Sequence, residues 1–285
     1  MMDNKTERAN RRLRILAIVQ ARMSSIRLPG KVLADIGGEP MLVRVVERAR
    51  RAKTVDEIVL ATTGDPRDDA IEGLCQERAY ACYRGSVQDV LDRYYQAGLI
   101  FGADIIVRLT ADCPIIDGEV IDETVNAFLG RSADCAKPFT GRMEDIPYDF
   151  AANRLPPPWK RTYPIGLDTE VCAFPSLKLA WEEARQPHQR EHVMPYLYEN
   201  FGQAEEPVPR FRVRLVDHEP DYGHLRWTVD TGEDLELVRQ IYRRFENRDD
   251  FTWHEVLDLF EREPALAKVN ATVRHKNYQE SEARS

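Results

Sequence analysis

The feature that most constrains the fold is an alternation, from residue 13 to about residue 129, between short apolar runs and longer stretches with apolar residues at helical spacing. Short continuous apolar runs are typical of strands that are buried on both faces, as in parallel sheets. The predicted strands of this half lie at 15–20, at 57–62, at a short run ending near Tyr83 and at 104–109. Because each strand is followed by an amphipathic stretch, the pattern predicts an α/β fold with a parallel sheet and right-handed helical crossovers.

The other elements are assigned from the same signals. Helices in the first half are predicted at 40–52, at 68–76, from Ser86 onward and at 118–129. Ser86, with Asp89 three residues later, has the spacing of a capping box and is predicted as an N-cap. Residues 137–166 are rich in proline and predict long loops. Beyond them we expect strands at 167–174, 210–216 and 225–229, and helices at 176–185, 188–200, 233–246 and 252–262.

Composition argues against several classes of protein. The 285 residues, 43% hydrophobic and 31% charged, are typical of a globular protein with one large α/β domain or two small ones. A formal net charge of −8 argues against a protein that mainly binds nucleic acid. No run approaches the ~20 apolar residues of a membrane span, and the polar first fourteen residues do not resemble a signal peptide. Five cysteines without C-x-x-C spacing predict reduced thiols and a cytoplasmic protein, without a zinc site.

The loop after the first strand carries the strongest indication of a ligand. It reads QARMSSIRLPGK and contains three cations and two hydroxyls, which are Arg22, Arg27, Lys31, Ser24 and Ser25. The carboxyl end of the first strand of a parallel sheet is a usual place for phosphate ligands, and several cations suit a polyphosphate. The loop matches neither G-x-x-x-x-G-K-[ST] nor G-x-G-x-x-G, so P-loop kinases and nicotinamide dehydrogenases lose support. The alternative is a solvated basic loop, and spacing alone does not decide between the two.

Two aspartates follow strands elsewhere in the chain. Asp112 comes just after the strand at 104–109, where a carboxylate can hold Mg²⁺ against phosphate oxygens. A helix cap or turn role explains Asp112 equally well. Asp230 ends a predicted strand before a helix, so its default interpretation is an N-cap. Only a partnership with Asp112 would make Asp230 functional.

Two further patterns have both a functional and an ordinary explanation. Asp168 and Glu170 are two residues apart on a predicted strand, so their side chains are expected to share one face. Such a pair could bind the acceptor, lie beside a metal or simply form a polar edge that faces solvent. His188 and His192 lie in HQREH, which matches the inverted zinc-peptidase pattern H-x-x-E-H. Zinc needs at least a third protein ligand, and no segment that would supply one follows, so a zinc site is disfavoured.

Seven segments occur in one order along the chain: QARMSSIRLPGKVL, ATTGDPRDD, YRGSVQDVLDRYY, IVRLTADCPIID, YPIGLDTEV, REHVMPYLY and RWTVDTGEDLELV. This ordered set, over roughly residues 14–245, resembles the spore-coat polysaccharide cytidylyltransferase-like proteins, which are relatives of the acylneuraminate and deoxy-manno-octulosonate cytidylyltransferases. The resemblance implies a Rossmann-like nucleotide-diphospho-sugar transferase fold, with a mainly parallel central sheet flanked by helices and a small acceptor-binding or dimerisation subregion. It also implies a disordered tail over 1–13, a nucleotidyltransferase domain over 14–265 and a C-terminal tail over 266–285. Within that domain, 14–130 is expected to bind the nucleotide and 131–265 the acceptor.

The same resemblance implies an activity and a set of site residues. The activity is transfer of CMP from CTP to a sugar or sugar-acid acceptor for polysaccharide biosynthesis, with release of pyrophosphate and with Mg²⁺ as cofactor. Arg22 and Lys31 are expected to bind the triphosphate, while Asp112 and Asp230 are expected to hold the metal. The remaining nucleotide contacts are expected from Ser24, Ser25, Arg27, Arg84 and Ser86. The acceptor side is expected to be lined by Tyr163, Asp168, Glu170, Arg190, Glu191 and His192.

Two other functions remain open at this point. A glycosyltransferase with a nucleotide-diphospho-sugar donor commonly carries D-x-D, whereas the sequence from Asp112 reads Asp-Cys-Pro. A non-catalytic nucleotide-binding protein would not need both aspartates. The acceptor, the preference for CTP over other triphosphates and the general base (Asp168, Glu170 or His192) are not determined by the sequence. A homodimer formed through 137–166 and 176–200 is possible by analogy with related enzymes.

Overall fold

The computed structural model describes residues 12–131, 139–199, 201 and 210–273. The strands are β1 Ile15–Gln20, β2 Asp35–Ile36, β3 Glu39–Pro40, β4 Glu57–Thr63, β5 Ala81–Gly85, β6 Ile105–Thr110, β7 Phe150–Ala152, β8 Glu170–Ala173 and β9 Val213–Leu215. The helices are α1 Met41–Ala49, α2 Asp69–Glu77, α3 Val90–Ile100, α4 Gly118–Phe128, α5 Phe174–Glu183, α6 Pro187–His192, α7 Pro195–Tyr198, α8 Gly232–Arg244 and α9 Trp253–Arg262. The predicted α/β architecture, a mainly parallel sheet flanked by helices, is confirmed.

The central sheet has seven strands in the order β5-β4-β1-β6-β8-β7-β9. Strands β5, β4, β1 and β6 are parallel, as the alternation of strands and helices predicts. Strand β8 is antiparallel to β6 and β7, and β7 is parallel to β9. Gln20 at the end of β1 pairs with Thr110 at the end of β6. The loops after these two strands therefore leave the sheet side by side, at its carboxyl edge.

Burial on both faces explains why β1 is a continuous apolar run. Ala17 and Val19 belong to an apolar cluster on one face, together with residues of α1 and α4. Leu16 and Ile18 belong to a cluster on the other face, with residues of α3 and α5. All four are fully buried. A third cluster lies among α8, α9 and the segment before α8, where Trp227 is fully buried.

Three predicted boundaries are wrong for local reasons. Helix α3 is capped by Asp89, whose side chain accepts the N–H of Asp92 at 2.9 Å, and not by Ser86. The helix expected over 188–200 ends at His192, because Val193 takes a positive φ of 72°. Residue 200 lies outside the described residues. The segment 225–229 forms one isolated bridge, Ile165 with Arg226, instead of a strand, since its backbone bonds to loops.

Two further parts of the prediction need correction. The proline-rich segment 137–166 was expected to hold only loops, yet β7 forms within it and pairs with β8 and β9. The domain boundary expected at 265 falls inside the packed structure, because Leu266 and Asn270 are buried. The side chain of Asn270 donates to the backbone oxygen of Arg226 at 3.1 Å. Of the predicted tails at 1–13 and 266–285, residues 1–11 and 274–285 lie outside the described residues.

The described part of the chain includes four of the five cysteines and all the helices given above. Within it, Cys75, Cys82, Cys113 and Cys172 carry free thiols, whereas Cys135 lies outside it. No helix in the described ranges is long and apolar enough to cross a membrane.

Candidate active site

The loop 22–31 is closed by its own backbone. The N–H groups of Ser25 and Gly30 both donate to the oxygen of Met23, each at 3.0 Å. Gly30 has a φ of +71°, a conformation that glycine adopts without the strain of a side chain. The chain then enters a 3₁₀ helix at Lys31, which directs the lysine side chain into the carboxyl edge of the sheet.

The ammonium group of Lys31 is the centre of the site. Its Nζ donates to Asp112 Oδ2 at 2.9 Å, to Asp230 Oδ1 at 2.9 Å and to the backbone oxygen of Val229 at 2.8 Å. Burial alone would lower the pKa of Lys31, but the charges of Asp112 and Asp230 outweigh it and raise the pKa to about 12. Lys31 is therefore a permanent cation that joins carboxylates from two distant segments.

Asp230 contacts cations through both of its oxygens. Besides Lys31 at Oδ1, its Oδ2 lies 3.0 Å from an Arg27 nitrogen and 2.8 Å from an Arg226 nitrogen. Burial would raise the pKa of Asp230, but these positive charges outweigh it and hold the pKa far below its usual value. Asp230 is consequently ionised at any physiological pH.

A second aspartate, Asp234, fixes the segment that carries Asp230. Its carboxylate accepts from Arg226 Nε at 2.9 Å and from the backbone N–H of Asp230 at 2.9 Å. Thr231 and Asp234 form a capping box at the start of α8, so the predicted N-cap role belongs to Thr231 and not to Asp230. The side chain of Asp230 is thus left to face the cavity.

Asp112 is held against the same segment through its main chain. Its backbone oxygen accepts from the N–H of Val229 at 2.8 Å and from the hydroxyl of Thr228 at 2.9 Å. These bonds set the two carboxylates at a fixed separation around Lys31. The structure therefore brings Asp112 and Asp230 together around Lys31, and the functional role of Asp230 stays a prediction.

These groups line a cavity of about 160 Å³ at the ends of β1 and β6. Seven of the predicted site residues line it: Arg22, Ser24, Ser25, Arg27, Lys31, Asp112 and Asp230. Gln20, Ala21, Val32, Thr110 and Ala111 complete the lining. The cavity therefore combines cations, hydroxyls and two carboxylates, which suits a polyphosphate accompanied by a cation.

Arg84 and Ser86 do not line this cavity. The guanidinium of Arg84 is paired with Glu72 at 2.6 Å and with Asp69 at 2.8 Å. The Ser86 hydroxyl accepts the N–H of Asp89 at 3.0 Å. Both side chains therefore have structural partners, and their role in nucleotide binding stays a prediction.

The predicted acceptor carboxylates each pair with an arginine. Glu170 forms an ion pair with Arg108, the residue opposite it in the β6–β8 register. Asp168 forms an ion pair with Arg161, and Arg154 lies 4.0 Å from the same carboxylate. Burial opposes the charge on Arg108, but the charge of Glu170 outweighs it and raises the Arg108 pKa. Because β8 begins at Glu170, Asp168 lies before the strand, and the expectation that both residues belong to one strand is wrong.

The other predicted acceptor residues are spread over two places. Arg190 on α6 donates from Nε to Asp89 Oδ2 at 2.9 Å and from Nη1 to the backbone oxygen of Trp181 at 2.7 Å. Glu191 and His192 lie at the end of the same helix. Tyr163 is fully buried, and its hydroxyl donates to Glu123 at 2.8 Å. The acceptor roles of these residues stay predictions.

The H-x-x-E-H pattern lies on α6, and one ion pair is seen at its first histidine. His188 on α6 pairs with Glu199, the residue that follows α7. In the described ranges, no three His, Cys, Asp or Glu side chains are grouped as metal ligands.

Sequence reasoning missed the residues that support the site. Asp68 is buried, and it accepts the N–H of Met23 at 2.7 Å and the hydroxyl of Thr63. It lies in GDPRDD, whose run of acids offered no signal for choosing it. Arg226 is adjacent to a fully buried tryptophan and eight residues before Asp234. That spacing matches no motif, so the ion pair between Arg226 and Asp234 could be recognised only in the folded structure.

The fold and this cavity define the class of an α/β nucleotidyltransferase, and the family follows from comparison with known proteins. The profile of the Cytidylyltransferase family matches residues 16–262, so the chain belongs to that family. The spore coat polysaccharide biosynthesis protein SpsF of Bacillus subtilis is 31% identical over 262 residues, which cover 89% of this chain and 96% of that protein. The predicted family resemblance is confirmed.

Solved structures show the same architecture. A cytidylyltransferase from Leptospira borgpetersenii has a TM-score of 0.77 and 29% identity, covering 92% of this chain and 100% of that chain. The structure of CMP:2-keto-3-deoxy-manno-octonic acid synthetase complexed with CTP has a TM-score of 0.57 and 20% identity, covering 81% of this chain and 99% of that chain. The second likeness shows a shared fold.

Proposed function

We propose that this protein transfers CMP from CTP to a hydroxyl group of a sugar or sugar-acid acceptor and releases pyrophosphate. The observation that carries the proposal is the cavity in which Arg22, Arg27 and Lys31 face Asp112 and Asp230. Membership of the Cytidylyltransferase family supports it, as does a CTP complex formed by a protein with the same fold. The name of the Bacillus subtilis relative supports a role in making a surface polysaccharide.

The chemistry is an in-line displacement at the α-phosphorus. The acceptor oxygen forms a new bond to that phosphorus, and the bond to the oxygen that bridges the α- and β-phosphorus breaks. The electron pair of the broken bond leaves with pyrophosphate, and the hydroxyl proton passes to a general base. The sequence names Asp168, Glu170 and His192 as candidates for that base, and Asp168 or Glu170 would first have to be released from its arginine. Arg22, Arg27 and Lys31 stabilise the negative charge that accumulates on the leaving group.

Asp112 and Asp230 suit a magnesium ion because carboxylate oxygens are ligands that this ion prefers. Both carboxylates already face one buried positive charge, the Lys31 ammonium, at 2.9 Å. Asp112 Oδ1 contacts the Cys113 thiol at 3.7 Å and has no cationic partner in the parts of the chain described, so it offers a ligand oxygen. Magnesium bound there would neutralise charge on the α-phosphate.

Pyrophosphate release tests the proposal. The purified protein is mixed with Mg²⁺, one of the four ribonucleoside triphosphates and a panel of acid sugars, neutral sugars and sugar phosphates. We expect release with CTP and with one class of acceptor. The control is the Lys31→Gln variant, which should lose release while keeping its circular dichroism spectrum. A folded wild-type protein that binds no triphosphate in calorimetry overturns the proposal, and binding of a nucleotide-diphospho-sugar instead would indicate a glycosyltransferase.

A further inference from the structure

The loop lysine occupies the space between the two carboxylates that a metal ion would share. The Nζ atom of Lys31 uses its three donors on Asp112, Asp230 and the backbone oxygen of Val229, at 2.8 to 2.9 Å. Its side chain is 10% exposed, so little water reaches the ammonium group. Without a nucleotide, the carboxylates therefore already have a counter-ion.

The remaining carboxylate oxygens leave little room for a second cation. Asp230 Oδ2 is bonded to Arg27 and Arg226. That leaves Asp112 Oδ1 as the oxygen of the pair with no cationic partner in the described residues. One carboxylate oxygen beside several positive charges is a poor site for a divalent ion.

Lys31 and a divalent ion compete for the same lone pairs. Magnesium binds oxygen at roughly 2.0–2.1 Å, so it cannot share Asp112 Oδ2 and Asp230 Oδ1 with an ammonium that lies against both. Two positive charges a few ångströms apart also repel each other strongly in a buried site. A triphosphate removes the conflict, because its oxygens provide partners both for the displaced ammonium and for the metal.

The loop allows this exchange without a change in its backbone. Lys31 N–H donates to the oxygen of Leu28 at 3.2 Å, and Lys31 accepts from the N–H of Ala34 at 3.0 Å. The main chain at Lys31 is therefore fixed on both sides. Only the flexible four-carbon side chain needs to turn from the carboxylates toward the phosphates.

We propose that Lys31 is an internal counter-ion that keeps divalent metal out of the Asp112–Asp230 pair until a triphosphate enters. This inference rests on the proposed function, since it takes that pair as the metal site. The consequence is that metal and nucleotide bind together: each raises the affinity for the other by the same factor.

Manganese binding to the nucleotide-free protein tests the inference. Free Mn²⁺ is measured by electron paramagnetic resonance during titration of wild-type, Lys31→Gln and Lys31→Arg protein. We expect Lys31→Gln to bind Mn²⁺ roughly 10- to 100-fold more tightly than wild type, because its carboxylates have lost their shared cation. Lys31→Arg keeps a cation and should stay near wild type. Equal affinity of wild type and Lys31→Gln overturns the inference.

Two controls keep the result decisive. Adding Asp112→Asn to Lys31→Gln should abolish the gain in affinity, and a gain that persists places the ion elsewhere and overturns the inference. If Lys31→Gln is unfolded because its two carboxylates repel, Mn²⁺ should refold it, as followed by far-ultraviolet circular dichroism, and a failure to refold contradicts the inference. None of these measurements uses a nucleotide. A wild type that does not bind CTP would thus overturn the proposed function separately.

Discussion

Two pairs of carboxylates lie near the carboxyl edge of the sheet, and they are neutralised in opposite ways. Asp112 and Asp230 share one ammonium, that of Lys31, inside the cavity. Asp168 and Glu170 each have a separate arginine. A shared cation can be exchanged for another one without leaving a buried charge alone. A carboxylate with its own buried arginine cannot exchange its partner at small cost.

The difference separates exchangeable groups from structural ones. Glu170 is 5% exposed and meets Arg108 across two adjacent strands, so this ion pair is part of the sheet. Lys31, in contrast, lies at the end of a loop and reaches residues 81 and 199 positions away in the chain. We therefore expect substitutions of Asp168 and Glu170 to affect mainly stability, and substitutions of Asp112 and Asp230 to affect nucleotide chemistry.

The largest expected effect is on stability, for Glu170→Gln. Removing this carboxylate leaves the buried guanidinium of Arg108 without its partner, which should lower the free energy of unfolding by about 3–5 kcal/mol. Urea denaturation followed by circular dichroism measures the loss. The matched control is Arg108→Met with Glu170→Leu, which removes both charges and should recover most of the stability. A loss below about 1 kcal/mol for Glu170→Gln, as at an exposed ion pair, would remove the contrast between the two pairs.

The next effect is on catalysis, for Asp112→Asn. The substitution keeps the size of the side chain but removes the charge that binds Lys31 and the expected metal. We expect kcat/KM for pyrophosphate release to fall roughly 10²- to 10³-fold, as when one preorganised electrostatic group is removed. The affinity for CTP is measured for Asp112→Asn and for Asp168→Asn, and the two losses are compared. A larger loss of CTP affinity in Asp168→Asn than in Asp112→Asn would show that the pairs have the reverse roles.

The smallest effect concerns two arginines that the sequence places in the same nucleotide-binding set. Arg27 lines the cavity, whereas Arg84 is paired with Glu72 and Asp69 outside it. We expect Arg27→Met to raise the KM for CTP roughly tenfold, since the charged hydrogen bond that Arg27 is expected to donate to the triphosphate is lost. Arg84→Met should raise the KM less than about twofold, because its guanidinium lies outside the cavity and the ion pairs that it loses are partly exposed to solvent. Steady-state kinetics at fixed acceptor concentration makes the comparison, and a tenfold rise for Arg84→Met would restore its predicted role.

Much of the fold could be predicted because its signals are local. The run at β1 is apolar throughout since both faces of the strand are covered, and its predicted bounds match the observed ones. A strand was expected at 167–174, where β8 forms, but its antiparallel direction and the short strand β7 gave no comparable signal, because strand direction and pairing depend on distant partners. The helix break at Val193 was missed for a related reason: a positive φ in a β-branched residue has no sequence signature.

The sequence by itself determined the nature of the site: a loop with three cations after the first strand, and two aspartates that follow later elements. Only the tertiary structure decided that Lys31 joins the two aspartates, that Arg226 and Asp234 fix Asp230, and that Arg84 points to other acids. The physical reason is distance. Loop composition and strand burial are set by neighbouring residues, whereas a charge acquires its partner only when segments far apart in the chain meet.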